Sequence, residues 1–521
     1  MFKTFTENTK ISYLLALVSG SISALALAPY FLLPLLFITF PVFYFLIINS
    51  KSKFQAFFIG FAFGFGHFTI GLYWIANALF FDIAQFWFLL PFALLGIPAL
   101  IAFLYMGPFA SIIHSIKIND YARIILFSVI WVIFEWLRAH LFTGFPWNLI
   151  GYSLCFSEYQ MQLAAISGIY GLSLVVVLTA TLLYKRNFQV LLVIALIYSA
   201  SNLYGYLHIK TSQLENIKET NLRIVQANIK QELRWDKRRV YENFQKYIKL
   251  SKQQANITPD IIIWPEGALE AHIEVTQPID SLSNLFPGTT ALITGSVRME
   301  RYLHDVDLWV SALVINSEGE VTGYYDKTHL VPFGEYVPLR FILSFNKITE
   351  GFKDYIPGDK ASSVKIGHDF PAFSPIICYE VIFPDAKTLK NSHAAKWILN
   401  LTTDSWYGDT SGPHQHFHKA RIRAIEQGMP LVRSAGTGIS AIIDSFGRVE
   451  SMLGVNQEGV IDHFLPKPIL HKTIYHKYGD VVIGLILLII TIITIVSYKR
   501  PLWIKSYKNT MLRVSFQILE E

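Results

Sequence analysis

Eight apolar runs, each close to the twenty or so residues needed to cross a hydrocarbon core, constrain this chain more than any other feature. They fall at 11–29, 31–49, 55–79, 87–115, 123–140, 161–184, 188–207 and 480–498. Only 16% of the residues are charged against 52% hydrophobic, too little polar surface to cover so many helices in water. The sequence therefore predicts a multi-pass α-helical membrane protein with eight spans. Lys3 and Lys10 precede the first run, which ends in Ala26-Leu27-Ala28-Pro29, the layout of a cleaved signal peptide. A second run follows at once, which favours a retained helical hairpin.

Acidic residues are almost absent from 11–208, whereas 209–478 has the mixed polarity of a water-soluble domain. Three parts are expected: a membrane domain of seven helices at 1–208, a catalytic-type domain at 209–478, and an eighth helix with a basic tail at 479–521. Lys51 and Lys53, Lys117 and Arg123, Lys185 and Arg186, and the tail from Lys499 to Arg513 all fall on one side of the spans. The opposite connections carry Asp82 or the segment 143–148 and no basic cluster. Basic residues mark the cytoplasmic side, so both termini are expected in the cytoplasm and 209–478 outside it. The net charge of +6 is thus spent on orientation, and a nucleic-acid partner is not expected. With two cysteines, Cys155 and Cys378, the chain is no disulfide scaffold; a bridge between them would consume the only thiol with a candidate role.

Within 209–478, short β-branched runs at 222–228, 260–264, 291–295, 308–315, 375–378 and 397–401 read as strands. Apolar residues at near-helical spacing over 239–255 and from Pro413 to a stop at Gly428 read as helices. The alternation predicts a layered α/β domain. Three segments place a reactive side chain just past a buried strand: Trp264-Pro265-Glu266, Tyr325-Asp326-Lys327 and Ile377-Cys378-Tyr379-Glu380. Singly, each has a plain structural reading as a cap, a surface ion pair or a core residue. Together they supply what a thiol nucleophile needs. A base must take its proton, and a positive charge must stabilise first the thiolate and then an oxyanion. A Glu266 at the end of an apolar strand has the raised pKa suited to taking and returning a proton.

These segments resemble the catalytic motifs of the nitrilase, or carbon–nitrogen hydrolase, superfamily. The run Tyr325-Asp326-Lys327-Thr328-His329-Leu330-Val331-Pro332-Phe333-Gly334-Glu335 is the most specific of them. With Val225 to Ile229, Trp235-Asp236, Asn400 to Trp406, Glu135 to Arg138 and Thr143 to Trp147, the whole chain resembles the membrane branch of that superfamily, the apolipoprotein N-acyltransferases. The resemblance implies an α-β-β-α sandwich between the seventh and eighth spans, on the periplasmic side of a bacterial inner membrane. It implies acyl transfer from a phospholipid, typically phosphatidylethanolamine, to the N-terminal amine of a diacylated apolipoprotein, with no cofactor. In that scheme Cys378 is the nucleophile, Glu266 the base and acid, Lys327 the oxyanion stabiliser and Glu335 its orienting partner. Trp235, Tyr379 and Glu380 shape the pocket, and the Tyr379 N–H is a second oxyanion donor.

Both lipid substrates keep their chains in the bilayer, so the site belongs at the interface. The apolar stretch 337–345, directly after Glu335, is expected to be an arm on the outer leaflet. A monomer is the default. Three other features have plainer readings. His414, His416 and His418 invite a metal, but without a His-Glu-x-x-His arrangement a polar helix start is preferred. His329 is structural support. Arg138 and Glu135, at the end of the fifth span, are an anchor or a headgroup contact. Two other function classes remain open at the level of the residues: a membrane-tethered amidase or nitrilase, and a scaffold without catalysis.

Overall fold

The computed structural model describes residues 8–498 apart from 235, 237, 304, 339, 342–346, 350–352, 360–362, 368, 385–388 and 390–393. Six helices among them are long and apolar enough to cross a membrane: Thr9–Ala26, Lys53–Leu89, Phe92–Ser115, Ala164–Lys185, Phe188–Thr211 and Val481–Tyr498. The two remaining predicted spans are present as helices that fall short by length or by charge. Leu33–Ile48 is shorter, and the 21-residue helix Asp120–His140 carries Arg123, Glu135 and Arg138. Arg138 and Glu135 turn into the protein. Both are buried, because the segment after the helix folds back over them: Arg138 Nη1 donates to the carbonyls of Phe145 and Trp147 at 2.7 and 2.6 Å, and Glu135 Oε1 accepts from the Ile150 N–H at 2.8 Å. Buried charge at this depth is held by backbone partners in place of water.

The described residues of the second half contain twelve strands: β1 Asn221–Gln226, β2 Ile261–Ile263, β3 His272–Ile273, β4 Ala291–Arg301, β5 Val306–Asn316, β6 Val321–Asp326, β7 Phe373–Ile377, β8 Trp397–Thr402, β9 Leu431–Ala435, β10 Ser440–Ile443, β11 Val449–Leu453 and β12 Gly459–Phe464. One sheet has the order β12-β1-β2-β4-β5-β6 with β3 beside β4, the other β11-β10-β9-β8-β7. The neighbouring strands β1, β2 and β4 in one sheet, and β7, β8 and β9 in the other, run parallel.

The period-two alternation of strand side chains sorts the core into layers. Ile261, Ile263, Ile293, Leu399, Leu401 and Val432 meet between the sheets. Ile262, Trp264 and Leu292 face outward onto the helix Val240–Ser251 through Tyr247 and Leu250. Ile376, Ile398, Leu431 and Ile443 face the opposite way onto Ala420, Ile422 and Ala424 of the helix Ser411–Gln427. The result is a four-layer α-β-β-α sandwich. Gly428 ends the second helix in the left-handed conformation, φ 63°, a geometry glycine adopts without a Cβ clash.

That outer helix is buried on both sides, because its far face packs on the membrane half in one continuous core. Its polar residues make the joint. Gln415 Oε1 accepts from Trp147 Nε1 at 2.7 Å, and Lys419 Nζ sits 3.9 Å from the Trp147 ring. Glu426 Oε1 accepts the Ile169 N–H at 2.9 Å, where Gly168, at φ 63° and ψ −170°, breaks the helical backbone. Glu426 thereby caps a helix start from another part of the chain, with the charge sign the helix dipole favours. It also pairs with Arg423, both side chains fully buried. Glu426→Ala will strand that arginine and cost about 3–5 kcal/mol. Arg448→Ala, which breaks the Arg448–Asp444 pair where the arginine is 40% exposed, will cost at most about 1 kcal/mol. Thermal unfolding of the detergent-solubilised variants checks the contrast.

Candidate active site

Three strand ends converge where the two sheets face each other. β2 leads into Glu266, β6 into Lys327 and β7 into Cys378, so the first sheet supplies the carboxylate and the ammonium and the second supplies the thiol. All three side chains are buried. Lys327 Nζ donates to Glu335 Oε1 at 2.6 Å and lies 3.8 Å from Glu266 Oε1. Glu335 Oε2 in turn accepts the Val331 N–H at 2.8 Å, which closes the 327–335 loop over the lysine. Glu266 Oε2 accepts the Thr403 N–H at 2.9 Å. The approach of Glu266 to β4 depends on Gly295, where a Cβ would stand 2.5 Å from the Glu266 Cα.

Cys378 begins a tight 3-10 turn, Cys378–Ile382, directly after β7 and has φ +48°. A non-glycine residue pays for that left-handed backbone, and the turn throws the thiol out of the strand line toward Glu266, whose charge acts on it. The turn is stapled by Glu380. Its Oε1 accepts from Tyr325 OH at 2.7 Å and from the N–H groups of Thr328 and His329 at 2.8 and 3.0 Å, and its Oε2 accepts the Ile377 N–H at 2.8 Å. One carboxylate therefore locks the lysine loop to the cysteine turn. Tyr379 points the other way, its OH donating to the Gly144 carbonyl at 3.2 Å, so the residue after the thiol is tied to the membrane half.

The electrostatics follow from burial and from one cation between two carboxylates. Burial, and then the charge of Glu335, raise the Glu266 pKa against the pull of Lys327. Burial and the neighbouring Glu266 push the Cys378 thiol up to about 12, with Lys327 opposing. Burial alone would lower Lys327, but Glu335, Glu266 and Cys378 together hold it above its ordinary value. The site thus presents a protonated thiol beside a buried carboxyl group of raised pKa and a fixed ammonium. Such a set can generate a thiolate only as a proton passes to the carboxylate, and it can then stabilise an oxyanion.

The structure thus brings together Glu266, Lys327, Glu335, Cys378, Tyr379 and Glu380; Trp235 lies outside the described residues. His329 stacks on Phe383 at 4.0 Å and does not form a dyad with the thiol. Cys155 and Cys378 are both free. The segment 404–408 is a half-buried turn, Asp404–Tyr407, that packs Trp406 on Phe81 and Tyr407 on Trp74 of the membrane half.

Sequence reasoning passed over Arg234, whose Nη2 donates to the carbonyls of Glu266 and Gly267, each at 2.8 Å, and whose Nη1 donates to Thr403 Oγ1 at 2.6 Å. Its position next to Trp235-Asp236 was the available signal. His414, His416 and His418 do not form a metal cluster among the described residues. His416 instead lies under the cysteine turn, with Nε2 3.2 Å from the Cys378 carbonyl.

A buried Glu–Lys–Cys set on a four-layer α-β-β-α sandwich defines a carbon–nitrogen-hydrolase domain, and residues 221–467 match the carbon–nitrogen hydrolase family. Residues 19–182 match the apolipoprotein N-acyltransferase N-terminal domain. The chain is 38% identical over 477 residues to the apolipoprotein N-acyltransferase of Rickettsia prowazekii, covering 90% of this chain and 94% of that one. To its namesake from Rhodopseudomonas palustris it is 35% identical, covering 94% and 95%. A solved amidase from Nesterenkonia sp. aligns with 49% of this chain and 94% of its own at 16% identity and a TM-score of 0.35. The chain belongs to the apolipoprotein N-acyltransferase family, a bacterial membrane protein with a nitrilase-type domain.

Proposed function

We propose that the chain transfers a fatty acyl group from a phospholipid, through a thioester on Cys378, to the N-terminal amine of the S-diacylglyceryl-cysteine of an apolipoprotein. The observation that carries this reading is the position of the buried Glu266–Lys327–Cys378 set directly against the membrane half, with Tyr379 bonded to Gly144. A soluble hydrolase has no use for a nucleophile tied to an apolar helical bundle.

In the acylation half, the Sγ–H proton passes to Glu266 as sulfur attacks the ester carbonyl. The oxyanion forms against Lys327 and the Tyr379 N–H. Collapse breaks the ester C–O bond, and the leaving alkoxide takes the proton back from Glu266, releasing a lysophospholipid. In the second half the amine attacks the thioester, Glu266 takes an amine proton, and the departing thiolate recovers it. Glu335 holds Lys327 in place, and Trp235 lines the pocket. A site without bulk water favours the amine over hydrolysis.

In this reading 1–208 is the membrane domain, 209–478 the catalytic domain on the periplasmic side, and 479–521 the last span with its cytoplasmic tail, acting as a monomer of eight spans. Residues 337–345, of which 339 and 342–345 lie outside the described residues, form in this reading an arm on the outer leaflet; Phe341, 84% exposed, is in keeping with that. The test uses purified enzyme in mixed micelles, phosphatidylethanolamine with a labelled acyl chain, and a diacylated lipopeptide with a free N-terminal cysteine amine. An N-acyl lipopeptide is the expected product; labelled free fatty acid without it would favour the tethered hydrolase. Because Glu266 must be ionised to act and its pKa is raised, the rate will rise with pH through a limb above the value of about 4.3 of a free glutamate.

A further inference from the structure

His416 is fully buried in the helix Ser411–Gln427, and no step above uses it. Its two ring nitrogens face different partners. Nε2 lies 3.2 Å from the Cys378 carbonyl oxygen, and Nδ1 lies 2.8 Å from Asp404 Oδ1 and 3.1 Å from Arg433 Nη2. Asp404 is already served by Arg433, whose Nη2 donates to both carboxylate oxygens at 3.0 and 2.8 Å, and by Thr402 Oγ1 at 3.2 Å. Burial and the Arg433 charge oppose protonation of the His416 ring, while the Asp404 charge and its hydrogen bond favour it. A carbonyl and a carboxylate can both only accept, so the geometry calls for a proton on Nε2 toward Cys378 and another on Nδ1 toward Asp404. The ring is held in plane by Trp147, stacked at 5.6 Å and 23°, and by the edge of Tyr407 at 5.5 Å.

The Cys378–Tyr379 peptide unit is planar, so its C=O and N–H point in opposite directions. A donor that grips the carbonyl fixes the aim of the N–H and, by polarising the unit, strengthens it as a donor. We propose that His416 is a positioning residue for acylation: by donating from Nε2 to the Cys378 carbonyl, it aims and polarises the Tyr379 N–H that receives the oxyanion. The Asp404–Arg433 pair holds the ring. This rests on the thioester reading given above. It also accounts for the tolerance of φ +48° at Cys378, since a residue in that backbone region needs an external hold on its peptide.

The test compares His416→Gln, His416→Asn and His416→Phe by single-turnover acylation with phosphatidylethanolamine in mixed micelles, read on monodisperse protein with melting temperatures measured alongside. A glutamine amide reaches the place of Nε2 and an asparagine amide that of Nδ1. His416→Gln is expected to keep the saturating acylation rate within about fivefold of wild type. His416→Asn and His416→Phe are expected to lose about 10²-fold, the order seen when one oxyanion donor is removed. The lipid concentration at half saturation is expected to change by less than about threefold in all three. If asparagine restores the rate and glutamine does not, or if glutamine does no better than phenylalanine, the inference is overturned; should the phenylalanine variant not fold, the glutamine and asparagine pair decides alone. A wild type that forms no thioester would instead remove the reading on which the inference rests.

Discussion

Cys378→Ser will lower acyl transfer by at least about 10⁴-fold, on the scale of removing a covalent nucleophile, while leaving the melting temperature close to that of wild type. The two parts of the result have separate causes. The serine hydroxyl fits the same space and finds the same neighbours, Glu266 and Thr402, that the thiol has. A hydroxyl is far less acidic than a thiol, however, and burial already pushes the thiol up to about 12. Glu266 can assist the departure of a thiol proton during attack, but the same carboxylate is too weak a base for an alcohol in this setting. Steady-state transfer and a thermal scan of the same preparation check both halves; a serine variant retaining a tenth of the activity would contradict the role given to Cys378.

Lys327→Ala has the second largest expected effect, a loss of about 10³-fold in acylation, since it removes an oxyanion donor of full positive charge. It also leaves Glu335 and Glu266 facing each other in a buried site. Lys327 is the stronger of two cations, with Arg234, that lower the Glu266 pKa against burial and the Glu335 charge. Without it the carboxyl rises further, so the acid limb of whatever activity remains must move to higher pH. A limb that stays in place would mean that Glu266 is not the group titrating in the rate. Glu335 loses its 2.6 Å partner as well, and breaking a buried pair of this kind costs about 3–5 kcal/mol, so the variant will also melt earlier. Rate, pH limb and melting temperature are three separate readouts of one substitution.

The membrane half was legible because hydropathy over twenty residues is a strong signal, and each predicted run became a helix. It was less legible in detail: Leu33–Ile48 is short and Asp120–His140 carries buried charge, so length and composition alone single out fewer spans than eight. In the second half, β1, β2 and β8 follow from dense β-branched runs, while β9 hides behind the charge of Arg433, fully buried against Asp404, and β10 is only four residues long. β4 and β5 each run to eleven residues, further than their apolar stretches, because pairing continues past them to Arg301 and Val306.

The convergence of Glu266, Lys327 and Cys378 into a candidate site was legible because reactive residues directly after buried strands are informative. The supports were not. Glu380 reads locally as one more pocket residue, and only the fold reveals that it gathers donors from a loop some fifty positions away. His416 was lost among three histidines read together as a polar helix start. Its partners, Asp404, Arg433 and the Cys378 carbonyl, come from three different segments, and nothing in the linear order links them.

The central claim is that Cys378 carries the acyl group, and intact mass of the purified enzyme after incubation with phosphatidylethanolamine tests it most directly. Wild type is predicted to gain the mass of one fatty acyl chain, to lose it on hydroxylamine treatment as a thioester does, and to pass it to an added diacylated lipopeptide; Cys378→Ala is predicted to gain nothing. Consumption of the lipid with no adduct on the wild-type chain, or an adduct that persists in the alanine variant, would contradict the account.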